Sequence, residues 1–504
     1  MIYNQSLSIA NNSSTVGAVL HLARVEAEES TQSRPIRSVH SVTRILRPIR
    51  TAVRTTVRFV AAGAVLAALA GCGNTYRPVV TAINPVGPAG QPTKYAVVVS
   101  STGPTTPGLA TFVDFSGDTV LITANIGINP YYLAVDSGGV TGYTLNSDKT
   151  LTSFDISTSL LSSQVLQSTL LDNNGILPPS INPEGTNTYI SQPGRNSVAQ
   201  YISSPLGLHQ ELPIDKAYTP VYVAGVANAP RVFVISKATS GGSGQVSTVE
   251  TASNTIDATP IPVGQNPVYG VMTADGRRTF VMNKGSNNIS VINAQTNQLD
   301  TPLSTLTDAK AVAPLWADFA PTLNELVVAN AGDGVHAGSV SIFSIPLCTA
   351  NAQPTNPNCD PNNPVDAVGF GTLIANVPVG VNPVMVAVLQ DGTRAYVLNG
   401  GNPNLPCAAP SASNPLGNCT VSVINLTSNT VTAAIPLPVS TNPLTTTQNG
   451  HPNWIAVTTG TPTGKVYVTS AESNFMTVIR TDTDSVLTEV PLQGAGISVR
   501  VTAP

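Results

Sequence analysis

The chain has 504 residues with 23 basic and 27 acidic side chains, a formal net charge of −4, and only 10% charged residues. Eight of the basic residues (Arg24, Arg34, Arg37, Arg44, Arg47, Arg50, Arg54 and Arg58) and three acidic ones lie in residues 1–72, leaving 15 basic against 24 acidic beyond them, a net charge of −9. That balance excludes a general phosphate-binding surface, which needs clustered Lys and Arg, so no nucleic-acid partner is expected. With 40 Gly and 41 Pro and no long Ala/Leu/Glu/Lys pattern after residue 75, the composition suits short strands joined by turns rather than helices.

The first element is a leader. Residues 59–70 are a run of about a dozen apolar residues behind Arg54 and Arg58. A positive flank and an apolar stretch this short predict a secretory signal rather than a comfortable membrane span. Leu69-Ala70-Gly71-Cys72 follows at once and resembles the lipobox of bacterial lipoproteins. The resemblance implies that Cys72 is acylated and becomes the mature N-terminus, so that the membrane is a partner through an N-terminal lipid. The 71 residues before Cys72 make a long leader, and Val53 or Val57 is an alternative start. No Asp follows Cys72, which in such lipoproteins leans towards the outer membrane. Residues 73–93 carry several Pro and Gly and read as a tether.

A repeat occupies residues 94–504. A partial unit comes first, with strands near 95–100, 110–115 and 119–123, and weaker units start at Pro130 and near Pro179. The opening Pro then recurs at Pro220, Pro267 and Pro314, 47 residues apart, and at Pro383 and Pro452, 69 residues apart. After each Pro comes an apolar strand, a Gly-bearing turn and a second strand, such as Thr279-Phe280-Val281-Met282-Asn283, Ala395-Tyr396-Val397-Leu398-Asn399 or Lys465-Val466-Tyr467-Val468-Thr469. A third strand reads Ile289-Ser290-Val291-Ile292-Asn293, Val421-Ser422-Val423-Ile424-Asn425 or Met476-Thr477-Val478-Ile479-Arg480, and a Thr/Asn/Asp turn leads to a fourth. Short β-branched and aromatic strands split by turn residues are hairpins in series.

The second-strand signature followed by a Val-Ile-Asn third strand resembles the YVTN β-propeller repeat family. The resemblance covers most of 94–504 and is degenerate in the first half. It implies an all-β propeller of four-stranded antiparallel blades. The units count to eight blades, with seven, the family norm, as the other possibility. The first unit lacks one strand, and Ile497-Ser498-Val499-Arg500-Val501 at the C-terminus is available to supply it and close the ring.

The two longer units each hold 22 extra residues and one Cys pair, Cys348 with Cys359 and Cys407 with Cys419. Four Cys allow three pairings, and in an oxidising compartment the two local ones are favoured. They would staple loop insertions near 348–359 and 407–419. A zinc site would want closer Cys or His spacing, so no metal is assigned.

Two residues after the opening Pro stand Tyr132, Tyr222, Tyr269, Trp316, Met385 and Trp454, five aromatics in a chain with 5% aromatics. Four residues after it stand Ala134, Ala224, Val271, Asp318, Ala387 and Ala456. Alternate residues share one face of a strand, and large-then-small suits a wedge near the axis. These side chains serve as spacers between blades, or some of them line one channel mouth: Trp316 and Trp454 first, with Tyr269, stacking on a flat or sugar-like ligand that Asp318 orients.

No Ser/His/Asp order, HExxH or P-loop is present. His209, His336 and His451 lie in separate units, Gly241-Gly242-Ser243-Gly244 reads as a hairpin turn, and Asp482 and Asp484 flank a turn. No catalytic residue and no cofactor is assigned. The reading is a monomeric, non-catalytic binding or scaffold propeller lipoprotein, exported and lipid-anchored to the cell envelope, with an unknown small molecule, glycan or envelope protein as partner. The alternative is a lactonase-like propeller hydrolase acting on a sugar lactone. Clustered His, Arg and Glu at a channel mouth would favour the enzyme.

Overall fold

The computed structural model describes residues 95–156, 167–171, 174–227, 229–346, 367–407, 418–438, 450–458 and 464–502. The leader with Cys72, the tether, and Cys348 with Cys359 lie outside the described residues.

The described chain forms eight four-stranded antiparallel sheets, each a blade running outward from a common axis. The inner strands of blades 2 to 8 are Pro130–Val135, Ile181–Glu184, Tyr218–Ala224, Pro267–Met272, Pro314–Ala320, Pro383–Val388 and Pro452–Val457. In blades 4 and 5 the outer strand is broken in two, Thr255–Ile256 with Ile261–Gln265 and Gln298–Leu299 with Thr305–Thr307. Blade 1 takes three strands from the start of the repeat and its inner strand, Ala495–Val501, from the end of the chain. This closing strand pairs with Tyr95–Ser101, Val98 opposite Val499 and Val97 opposite Arg500. Both the count of eight and the C-terminal closure expected from the repeat are thus present.

The hairpins are held by the signature residues. Asn146, Asn283, Asn330 and Asn399 end their second strands almost fully buried. Each donates its amide to the third strand: Asn399 Nδ2 to Thr420 Oγ1 (3.0 Å) and Ser422 Oγ (2.8 Å), and Asn283 Nδ2 to Asn288 Oδ1 and Ser290 Oγ (both 2.9 Å). Buried amides need such partners. The preceding blade lies against them so closely that a Cβ on Gly127 would stand 2.2 Å from Asn146 Nδ2, and one on Gly380 2.6 Å from Asn399 Nδ2.

Blades latch to their neighbours through the turn between third and fourth strands. Asp118, Asn254 and Asp484 occupy those turns with φ of 54°, 52° and 46°, a left-handed conformation that Asn and Asp tolerate best among side-chain-bearing residues. The second strand of the preceding blade reaches each of them. Tyr189 donates its hydroxyl to Asn254 Oδ1 (2.6 Å), Tyr396 to Asp484 Oδ1 (2.7 Å), and Lys465 Nζ meets Asp118 Oδ2 at 2.5 Å. Apolar clusters fill the spaces between sheets; that between blades 7 and 8 holds Tyr396, Leu398, Val421, Ile455 and Val466.

Candidate functional site

Six inner strands carry a Pro at or near their start for a structural reason. Pro130, Pro220, Pro267, Pro314, Pro383 and Pro452 each pair with the second strand, and the register slips before the residue two places on. Pro has no N–H to contribute to a ladder, so a bulge there loses little. The closing strand slips at the equivalent place, between Gly496 and Ser498, without a Pro. The slip puts one side chain per blade into an equivalent position around the axis.

Five of these positions are aromatic and form a collar. Tyr269 stacks on Trp316 with centroids 3.9 Å apart. Trp316 meets Trp454 edge-on at 5.6 Å, across blade 7, and Trp454 meets Tyr132 edge-on at 5.8 Å. Tyr222 lies 4.7 Å from Tyr269 and ends the arc. Met385 is buried. Burial raises the Tyr222 and Tyr269 hydroxyls well above their ordinary pKa, so both stay protonated and able to donate.

The collar is incomplete on one side. Blade 3 has Ser180 at this position, bonded through its hydroxyl to Ser191 Oγ (2.9 Å) and the Val223 amide (3.1 Å), and the closing strand has Ser498. A cavity of about 390 Å³ opens there, towards the face where the inner strands end. Its wall includes Tyr132, Tyr222, Tyr269, Asn182, Asp136 and Arg500. Two further acids border the channel. Both oxygens of Asp318 accept backbone amides, Phe319 and Val388 at 2.8 Å each; burial lifts its pKa to about 6. Glu184 is 8% exposed, its Oε1 has no partner, and it packs under the cavity-wall residue Gly225. Burial raises its pKa to about 7.

Of the residues expected from sequence at a channel mouth, Tyr269 lines the cavity. Trp316 and Trp454 belong to the collar but do not line the cavity. Asp318 faces blade 7 and is used by the fold, and it is not the one charge near the ring. The guanidinium of Arg500 lies 4.3 Å over the Trp454 ring, with Nε donating to the Leu133 carbonyl at 3.3 Å. Arg500 was legible as part of the closing strand; without an opening Pro, nothing in the sequence aligned it with Asp318.

The remaining candidates are accounted for locally. Cys407 and Cys419 are disulfide-bonded, Cα atoms 5.2 Å apart, between the second and third strands of blade 7. His451 lies within 4.8 Å of both sulfurs, but those sulfurs are committed to each other; its Nδ1 faces Glu472 (3.2 Å). Exposed His336 pairs with Asp333, and His209 with Gln200 Oε1 (3.1 Å). Asp482 pairs with Arg480 and Asp484 with Arg394, which leaves neither as a free cation ligand.

No family model matches the chain, and no curated protein matches it in sequence. Solved structures resemble it. The dihydro-heme d1 dehydrogenase NirN in complex with DHE matches at a TM-score of 0.55 and 11% identity, over 84% of this chain and 78% of that one. Apo AztD from Citrobacter koseri matches at 0.52 and 10%, over 81% of this chain and 97% of that one. A putative 6-phosphogluconolactonase from Bacteroides fragilis matches at 0.47 and 11%, over 82% and 99%. At such identities the likeness concerns the fold, which hosts many unrelated activities.

Proposed function

We propose that this β-propeller is a non-catalytic binding protein of the bacterial cell envelope, anchored by lipid on Cys72, whose small-molecule ligand sits in the channel cavity. The observation that carries the reading is the cavity itself: about 390 Å³, backed by rigid aromatic rings and edged by a few convergent polar groups. This is the usual make-up of a small-molecule site, in which apolar walls supply area and sparse polar groups fix orientation. Tyrosine faces suit a flat or sugar-like ligand.

The chain's two Trp, Trp316 and Trp454, both stand in the collar, so tryptophan emission reports on this site alone. Titration with envelope glycans and small metabolites is expected to shift that emission for a ligand that enters the cavity. A panel that leaves it unmoved while binding elsewhere refutes the cavity as the site. The anchor has its own test: Cys72→Ala is expected to move the protein from the membrane to the soluble envelope fraction, and a wild type that is already soluble refutes it.

A hydrolase acting on a sugar lactone is the second reading. It is favoured by Glu184, a buried acid beside the cavity wall whose pKa of about 7 suits proton transfer. None of His209, His336 and His451 lines the cavity. Lactone turnover lost in Glu184→Gln with the fold intact would establish it over the binding reading.

A further inference from the structure

We infer that the channel cavity is an oxyanion site, taking a carboxylate or phosphate group on Arg500 with the body of the ligand against the tyrosine faces. The inference rests on the reading of the cavity as the ligand site and names the chemistry of that ligand.

The argument starts from position. The registers place Arg500 on the closing strand where five other inner strands put Ala134, Ala224, Val271, Ala387 and Ala456 and blade 6 puts Asp318. An Arg is the least compact choice for that ring, and the fold holds it in place. The Trp454 indole supports one face of the guanidinium at 4.3 Å, and the Leu133 carbonyl takes Nε–H at 3.3 Å. Those two contacts fix the plane of the group. Among the described residues the terminal nitrogens meet no carboxylate within ion-pair distance, while the residue lines the cavity.

No acid among the described residues forms an ion pair with this charge, although Arg500 interacts electrostatically with Asp318 at longer range. Asp318 has each oxygen on a backbone amide, and Asp136 Oδ1 takes the amides of Val140 (2.7 Å) and Thr141 (3.0 Å). Burial raises the Glu184 pKa to about 7, so it carries only part of a negative charge at neutral pH. A half-buried, oriented cation with unused N–H groups is what a planar oxyanion meets with two parallel hydrogen bonds. Other buried or half-buried cations are used differently: Arg231, Arg278, Arg394 and Lys465 all pair with an acid.

Tryptophan quenching tests the inference with simple ions. Iodide, caesium and acrylamide are compared on the wild type, Arg500→Gln and Arg500→Lys. The mature chain carries −9, 15 basic against 24 acidic residues, which by itself favours caesium. Measured relative to free N-acetyltryptophanamide, iodide is nonetheless expected to quench the wild type several-fold more strongly than caesium. Arg500→Gln is expected to lose that preference, Arg500→Lys to keep it, and acrylamide quenching to stay equal in all three, which shows the collar intact. Equal quenching by iodide and caesium in the wild type, or a preference that survives in Arg500→Gln, overturns the inference.

Benzoate, phenyl phosphate and benzyl alcohol then separate the sources and the readings. The preferred acid is expected to bind about tenfold more tightly than the alcohol, about one charge-assisted hydrogen bond's worth. Which acid wins tells carboxylate from phosphate. Benzyl alcohol binding as well as both acids removes the anion inference and leaves the cavity reading standing. Failure of all three to move the emission, with no iodide preference, removes both.

Discussion

Lys465 Nζ and Asp118 Oδ2 stand 2.5 Å apart although 347 residues separate them in the chain. The ion pair joins blade 8 to blade 1 across the point where the ring closes. Lys465 is 1% exposed and Asp118 8%, and Lys465 also donates to the Phe115 carbonyl at 2.9 Å. Burial alone pushes the Asp118 carboxyl up, and the lysine opposes that shift. Lys465→Met leaves a buried carboxylate without its cation and is expected to cost about 3–5 kcal/mol in chemical denaturation. Adding Asp118→Asn is expected to restore most of the loss, because the uncompensated charge then goes too. A double variant as unstable as the single one would show that the pair is not the source of the effect.

Glu184 sets a pH dependence. Its folded pKa is raised from the ordinary 4.5 to about 7, so the folded state favours the protonated form. The corresponding stability is fully present below pH 4.5 and is lost as pH rises through about 7. Glu184→Gln has no such group. Relative to wild type it is expected to gain up to about 3 kcal/mol between those limits. Other titrating groups are common to both proteins and cancel in the difference. Parallel stability–pH curves for the two would contradict the environment described for Glu184.

Ala313 is out of place in its own repeat. It has φ of 58°, where the equivalent residues before Pro130, Pro267 and Pro383 are Asn129, Asn266 and Asn382, with φ between 45° and 52°. Alanine in a left-handed conformation is strained, and Asn tolerates it better. In blade 7 the Asn382 amide also reaches the Gly401 carbonyl at 3.4 Å. Ala313→Asn is therefore expected to stabilise the protein by about 1 kcal/mol, read as a higher urea midpoint with an unchanged slope.

The Cys407–Cys419 bond closes a loop with a sequence separation of 12. Replacing both residues by Ala is expected to cost about 3 kcal/mol, mainly through the unfolded chain. Peptide mapping without reduction checks the bond directly, and the same map reads the pairing of Cys348 and Cys359. Free thiols at Cys407 and Cys419 in exported protein would remove it.

Much of the architecture was legible in the chain because a repeat states its pattern many times. The Pro spacing gave the blades, and the second and third strand signatures gave the hairpins. The incomplete first unit, with a spare apolar strand at 497–501, gave the closure. All of these rest on local backbone rules: strand alternation, turn residues, and an edge strand that needs a partner. The same alternation picked out Tyr132, Tyr222, Tyr269, Trp316 and Trp454 as one face of the inner strands.

What the ring does with that face was decided only in three dimensions. Trp316 meets Trp454 across blade 7, and both rings pack against the buried cluster that holds Met385. The cavity lies on the side of blade 3 because Ser180 and Ser498 leave the collar open there. Arg500 stacks on Trp454 because closure brings the last strand of the chain beside the first residues of blade 8. Each depends on packing between strands far apart in sequence. A periodic pattern fixes which face a side chain takes, and ring closure fixes which other side chains it meets.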